Sequence, residues 1–235
     1  GGSRYHVMAA CERSLKRLQT DHIDLYIIHR PDRQWPGVGV DETLSAMTDL
    51  VRQGKVRYIG TSSFNAWRLT EAEWTARMNG FERFCCDQML YSIIDRYAEK
   101  EILRVCERYE IGVNVFTPLC NGWLAGKYVR GKKPPKGSRG ERGWRVKTES
   151  PDGQRKFDIV DRLMPLAEAR GITLSQFALA WLLKNPVVTT VICGPRLLSH
   201  FKDNVKADEV ELDDEAMSAV DEICQPKTGD DREWW

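Results

Sequence analysis

No stretch of this chain stays apolar for anything near the ~20 residues of a membrane-crossing helix, so no helical membrane span is expected and no membrane partner is implied. An excess of one charge is lacking too. Lysine plus arginine number 35 against 34 for aspartate plus glutamate, so no long-range field selects nucleic acid or an anionic surface. The seven cysteines, Cys11, Cys85, Cys86, Cys106, Cys120, Cys193 and Cys224, show neither CxxC spacing nor clustering with histidine. They are expected as reduced, mostly buried thiols, with no metal site. Neither a GxGxxG after an early strand nor a GxxxxGKS/T phosphate loop is present, so a nucleotide, if bound, is held by other means. The start Gly1-Gly2-Ser3 carries no signal-peptide pattern, which gives a cytoplasmic expectation.

What is present is the composition of a globular protein, with 42% hydrophobic and 29% charged among 235 residues, expected as one domain over residues 1–235. Strand and helix patterns alternate. Apolar spacing predicts a helix over Arg4–Leu18, then a strand over residues 23–29, Ile-Asp-Leu-Tyr-Ile-Ile-His, followed by a loop over Pro31–Gly39. Further helices are predicted at Thr43–Val51, Trp67–Met78 and Glu99–Tyr109, and strands at Val56–Ser62, Phe84–Met89 and Gly112–Pro118. The long Gly, Pro, Lys and Arg-rich stretch Gly122–Gln154 is read as a flap over a site. Helices at Phe157–Ala169 and Thr173–Leu183, a strand at Val187–Gly194, and helices at Leu197–Val205 and Asp213–Ile223 follow. Such alternation implies an α/β protein whose strands run parallel, and ligands collect at the carboxyl ends of parallel strands.

Those strand ends read His29-Arg30-Pro31-Asp32, Gly60-Thr61-Ser62-Ser63-Phe64, Asp87-Gln88-Met89, Phe116-Thr117-Pro118-Leu119 and Cys193-Gly194-Pro195-Arg196. Side by side they form one polar and aromatic ring. With the segments IDLYIIHRPD, GKVRYIGTSSFNAW, DQMLYSIIDR and FTPLCNGWLAGKY, and a last helix ending Lys202-Asp203-Asn204, the chain resembles the aldo-keto reductase superfamily from end to end.

The resemblance implies a (β/α)8 TIM-barrel type fold, of which about five βα units, the C-terminal part, lie in this chain. It also implies NADP(H) as cofactor and hydride transfer to a small-molecule aldehyde or ketone. By motif, His29 matches the active-site histidine, a directed donor toward the carbonyl oxygen. Ser62 and Gln88 match the pair that holds the nicotinamide carboxamide, and Ser63 stands where asparagine is usual. Phe116 falls at the ring-stacking position. Leu119, Gly122, Leu124 and Lys127 fall in the pyrophosphate segment, and Gly194, Arg196, His200 and Asn204 at the adenosine end, with Arg196 suited to a 2′-phosphate.

The family's aspartate, tyrosine acid and lysine belong to βα units that would precede Gly1, and no tyrosine present lies in the motif that acid requires. The chain therefore reads as N-terminally truncated, with the missing part expected elsewhere in the native molecule. Open sheet edges would otherwise favour a homo-oligomer. The competing reading is a catalytically inactive nucleotide-binding or scaffold subunit of the same superfamily, or an interaction protein anchored by tryptophans such as Trp35, Trp123, Trp144, Trp234 and Trp235. The tail Asp230–Trp235 is read as a lid or a free end.

Overall fold

In the structure, a computed structural model that describes residues 1–30, 37–143 and 146–225, the expected alternation condenses into an α/β fold. The strands are β1 Ile23–Ile28, β2 Val56–Ser62, β3 Cys86–Leu90, β4 Gly112–Phe116 and β5 Val188–Ile192, ordered in the sheet as in the sequence. Helices α1 Arg4–Leu18, α2 Val40–Arg52, α3 Ala66–Asn79, α4 Ile102–Tyr109, α5 Pro151–Glu168, α6 Leu174–Leu183, α7 Leu198–Val205 and α8 Asp214–Ile223 complete the order. The loop expected at Pro31–Gly39, with Asp32 and Trp35, lies largely outside the described residues, as do Trp144 and the tail with Trp234 and Trp235. Residues 1–235, expected as one domain, divide into two compact units: Gly1–Met89 with Glu101–Asn114, and Leu90–Lys100 with Val115–Trp235.

In the first unit β1 pairs β2 and β2 pairs β3, both in parallel. Parallel neighbours need a crossover of a dozen residues or more, and α2 and α3 supply it. In α1, Val7, Cys11 and Leu15 recur every four residues on one face and are the buried ones, while Ser3 accepts the His6 N–H as N-cap. Helix α2 buries Leu44, Ala46, Met47 and Leu50. Each large apolar side chain so buried contributes about 1.5–3 kcal/mol. This helix begins at Val40, before the Thr43 that periodicity suggests, because Asp41 and Glu42 sit well against its N-terminal dipole although they face no core. Helix α3 turns Leu69, Ala72 and Ala76 inward and leaves Trp67 and Trp74 exposed. Its Glu73 carboxylate is buried and is answered by Arg77 at 2.6 Å and Arg83 at 2.8 Å, the pairing that a buried charge requires.

In the second unit α5 starts at Pro151, six residues ahead of the expected Phe157. Pro and Gly read as breakers there. Proline is nonetheless well suited to the first helical turn, where its missing N–H would have had no partner, and Ser150 caps the helix by accepting from the Gly153 N–H. Helix α6 is apolar on every side and buried throughout its first nine residues, Leu174 to Leu182, with Thr173 and Gln176 forming a reciprocal capping box. Helix α7 buries no residue of its own and is tethered through Asp203, which accepts from Thr173 Oγ1 at 3.0 Å and Gln176 Nε2 at 2.9 Å. Strand β4 stops at Phe116, short of the expected Pro118, because Thr117 turns left-handed at φ 57°.

Candidate functional site

Strand register brings the first group of expected site residues into one row. Ile28 is opposite Thr61, and Ser62 is opposite Gln88, so His29, one residue past Ile28, continues the row at the carboxyl ends of β1, β2 and β3. Ser62 Oγ and the Ser63 N–H both donate to the Gln88 carbonyl oxygen at 2.9 Å, which ties the β2–α3 turn to β3. That bonding occupies the hydroxyl hydrogen of Ser62 but leaves lone pairs able to accept from an amide. The Gln88 side-chain amide is half-buried and has no partner among the described residues. His29 is exposed. Ser63 holds φ at 60°, a left-handed conformation that asparagine adopts more readily than serine, which is a conformational reason for asparagine at this position.

One step below the row, Thr61 and Asp87 are register partners. Asp87 is fully buried, and its Oδ1 accepts from Thr61 Oγ1 at 2.7 Å. Burial pushes its carboxyl up to about 7, with Thr61 and the Phe64 N–H pulling the other way.

The second group lies in the other unit. After β4, residues Cys120, Asn121 and Gly122 follow one another with positive φ, the last at 98°, where glycine carries no penalty. A Cβ on Gly122 would overlap the Lys127 side chain, so the lysine folds over bare backbone. Lys127 is held below the usual lysine range by desolvation first and then by the nearby charges of Arg139 and Arg196. Arg139 donates to Asn121 Oδ1 at 2.6 Å, and Arg196 donates to the Gly137 carbonyl at 2.5 Å. Three cations are thus drawn toward one loop, against their mutual repulsion. An anion there would relieve that repulsion.

Leu119 is half-buried, and Leu124 is fully buried, so only the backbone of Leu124 is available to a ligand. Phe116 is half-buried. Gly194 is exposed with open space where its Cβ would be, while His200 and Asn204 are four residues apart on one side of α7, and no bond among the described residues draws them into the cation cluster. Arg139 is the residue that reading the sequence missed. Its only signal was the basic density of the long segment, and another member of that segment, Arg130, proves structural, bonded to Gln154, Asp158 and Asp161. Among the described residues no group of three or more His, Cys, Asp or Glu is placed to hold a metal ion, and no helix is long and apolar enough to cross a membrane.

Fold and site together define an α/β protein that gathers polar groups at the carboxyl ends of parallel strands and cations on a glycine-bearing loop. The model for the Aldo/keto reductase family matches residues 1–225, and the chain belongs to that family. It is 35% identical over 223 residues to an uncharacterized oxidoreductase, YrpG, of Bacillus subtilis strain 168, covering 95% of this chain and 65% of that protein. It is 36% identical over 229 residues to a putative voltage-gated potassium channel subunit beta of Schizosaccharomyces pombe, again 95% of this chain and 65% of the relative. To an L-glyceraldehyde 3-phosphate reductase of Escherichia coli K12 it is 32% identical over 216 residues, 88% of this chain and 59% of that protein. The chain therefore spans about 65% of the length of the first two of these relatives.

Proposed function

We propose that this chain contributes the larger part of an NADP(H) site in an oxidoreductase that reduces an aldehyde or ketone, working in the cytoplasm. The observation that carries the reading is the row of Ser62 opposite Gln88 with His29 one residue past Ile28, together with a Gln88 amide that has no partner among the described residues. A carboxamide needs one acceptor and one donor side by side. The lone pairs of Ser62 and the amide of Gln88 supply both, and hold the ring that carries them in one orientation.

Lys127, Arg139 and Arg196 suit the phosphates, with Arg196 assigned to the 2′-phosphate because its planar fork matches phosphate oxygens. Phe116 is assigned to the nicotinamide face and Asn204 to the adenine edge, and Gly194 has open space where its Cβ would be. When bound, a reduced nicotinamide supplies the hydride. His29 donates a hydrogen bond to the carbonyl oxygen and so polarises the carbon that accepts it. The proton for the resulting alkoxide is assigned to groups outside these residues.

Titration of the full chain with NADPH and NADH, read by quenching of its tryptophan fluorescence, tests the cofactor assignment. NADPH is expected to bind at least ten-fold tighter, roughly the 1.4 kcal/mol of one good charge-assisted contact, and Arg196→Ala to remove that preference. Equal affinities in the unmodified chain would overturn the role of Arg196. In a molecule that turns over carbonyls, His29→Ala should lower kcat about 100-fold or more while leaving NADPH affinity within about two-fold. A second reading, a nucleotide-binding subunit without turnover, draws support from the relative named as a channel subunit, and NADPH binding without oxidation by any carbonyl would favour it.

A further inference from the structure

Asp87 takes no part in the chemistry above, yet it is fully buried one residue before Gln88, and one of its oxygens, Oδ2, has no hydrogen-bond partner among the described residues. Its Oδ1 is bonded to Thr61, the residue before Ser62, and its carboxyl also feels the N–H of Phe64, the residue after Ser63. Asp87 therefore grips the β2–α3 turn on both sides of the two serines, while the serines themselves grip the Gln88 carbonyl.

We propose that Asp87 is a positioning residue for the nicotinamide row: by losing or gaining its proton, its carboxyl sets how firmly Thr61 and Phe64 hold the Ser62–Ser63 turn against Gln88. The inference rests on the nicotinamide reading of that row and adds a regulation to it. A charged acceptor holds N–H and O–H donors about twice as strongly as a neutral one, and in a dry site the difference is not shared with water. Burial raises this carboxyl to about 7, so both forms are populated at neutral pH. Among the described residues its charge raises two thiols, Cys86 on its own strand and Cys106 on α4. Among the described residues, β2 and the turn after it bring a hydroxyl and an amide N–H to the carboxyl, and no cation is named among the groups that act on it.

The test is a titration of the full chain with NADH, which lacks the 2′-phosphate and its own ionisation near neutrality, from pH 5.5 to 9. Unmodified protein should bind about five-fold tighter above pH 8 than below pH 6, with a midpoint near 7. Asp87→Asn, which keeps an acceptor but not the charge, should bind at the weaker level throughout. Thr61→Val removes a donor that stabilises the carboxylate, so it should move the midpoint upward, and it serves in place of Asp87→Asn if that variant does not fold. A flat profile in the unmodified chain, or an unchanged midpoint in the variants, overturns the proposal.

A cofactor-free arm separates the two levels of inference. Melting temperature of the unmodified chain, relative to Asp87→Asn, should fall between pH 6 and 8. If that fall is seen while affinity stays flat, Asp87 titrates without positioning anything, and the nicotinamide reading stands. If neither NADH nor NADPH binds at any pH, the nicotinamide reading fails and the role of Asp87 goes with it.

Discussion

Gly60 and Gly194 show how differently one residue type is constrained within this chain. A Cβ at Gly60 would meet Cys86 Sγ at 2.6 Å and the Cys86 carbonyl at 3.0 Å, so β2 and β3 approach as closely as they do only because that side chain is missing. Gly60→Ala should cost about 1–3 kcal/mol by overpacking, seen as a lower urea midpoint. Gly194 has open space where its Cβ would be, and Gly194→Ala should stay within about 0.5 kcal/mol. A large loss at Gly194 would mean that the residue is held in contacts the structure does not show. The glycine pattern alone does not separate the two cases, because what differs is a neighbour on another strand.

Helix ends carry much of the definition at the next scale. Thr173 caps α6 by accepting from the Gln176 N–H and also donates its hydroxyl to Asp203, so a single side chain both starts α6 and anchors α7. Thr173→Ala is expected to cost about 1–2 kcal/mol, the upper part of the range for a lost N-cap, measurable by thermal melting. Gln176→Ala should repeat part of that loss, since its side chain bonds the Thr173 N–H at 3.3 Å and Asp203 at 2.9 Å. The double variant should lose less than the sum, because both act on one cap. Element boundaries were legible where an apolar stripe coincided with a cap, as in α1, and shifted where polar first turns precede the stripe, as in α2 and α5.

Over the whole molecule, buried charge makes stability depend on pH in two opposed ways. Asp87 has a raised pKa when folded, so its contribution favours the folded state fully below the ordinary carboxylate value of 3.8 and is lost as pH rises through about 7. Asp152 is desolvated, but Lys156 and Arg155 outweigh that and hold it below the ordinary value, so its contribution is present above 3.8 and is lost as acid protonates it. The urea midpoint is therefore expected to climb up to about pH 4, to decline from there to about 7 and to level off above it. Asp87→Asn should abolish the decline and leave the climb. A decline that survives in Asp87→Asn would assign it to another group.

The sequence by itself determined the α/β alternation, the helix stripes such as Val7, Cys11 and Leu15, and the polar identity of the strand ends, because periodicity records which side of an element meets water. It also carried the family, since whole motifs such as DQMLYSIIDR survive as contiguous strings. Tertiary structure alone decided that Ser62 lies opposite Gln88, that Asp87 is sealed beneath them, and that Arg139 joins Lys127 and Arg196. Register and charge gathering are contacts between residues far apart along the chain, as Arg196 and Gly137 are at 59 positions. No local pattern encodes such a pair, and only the packing of the intervening elements brings it within bonding distance.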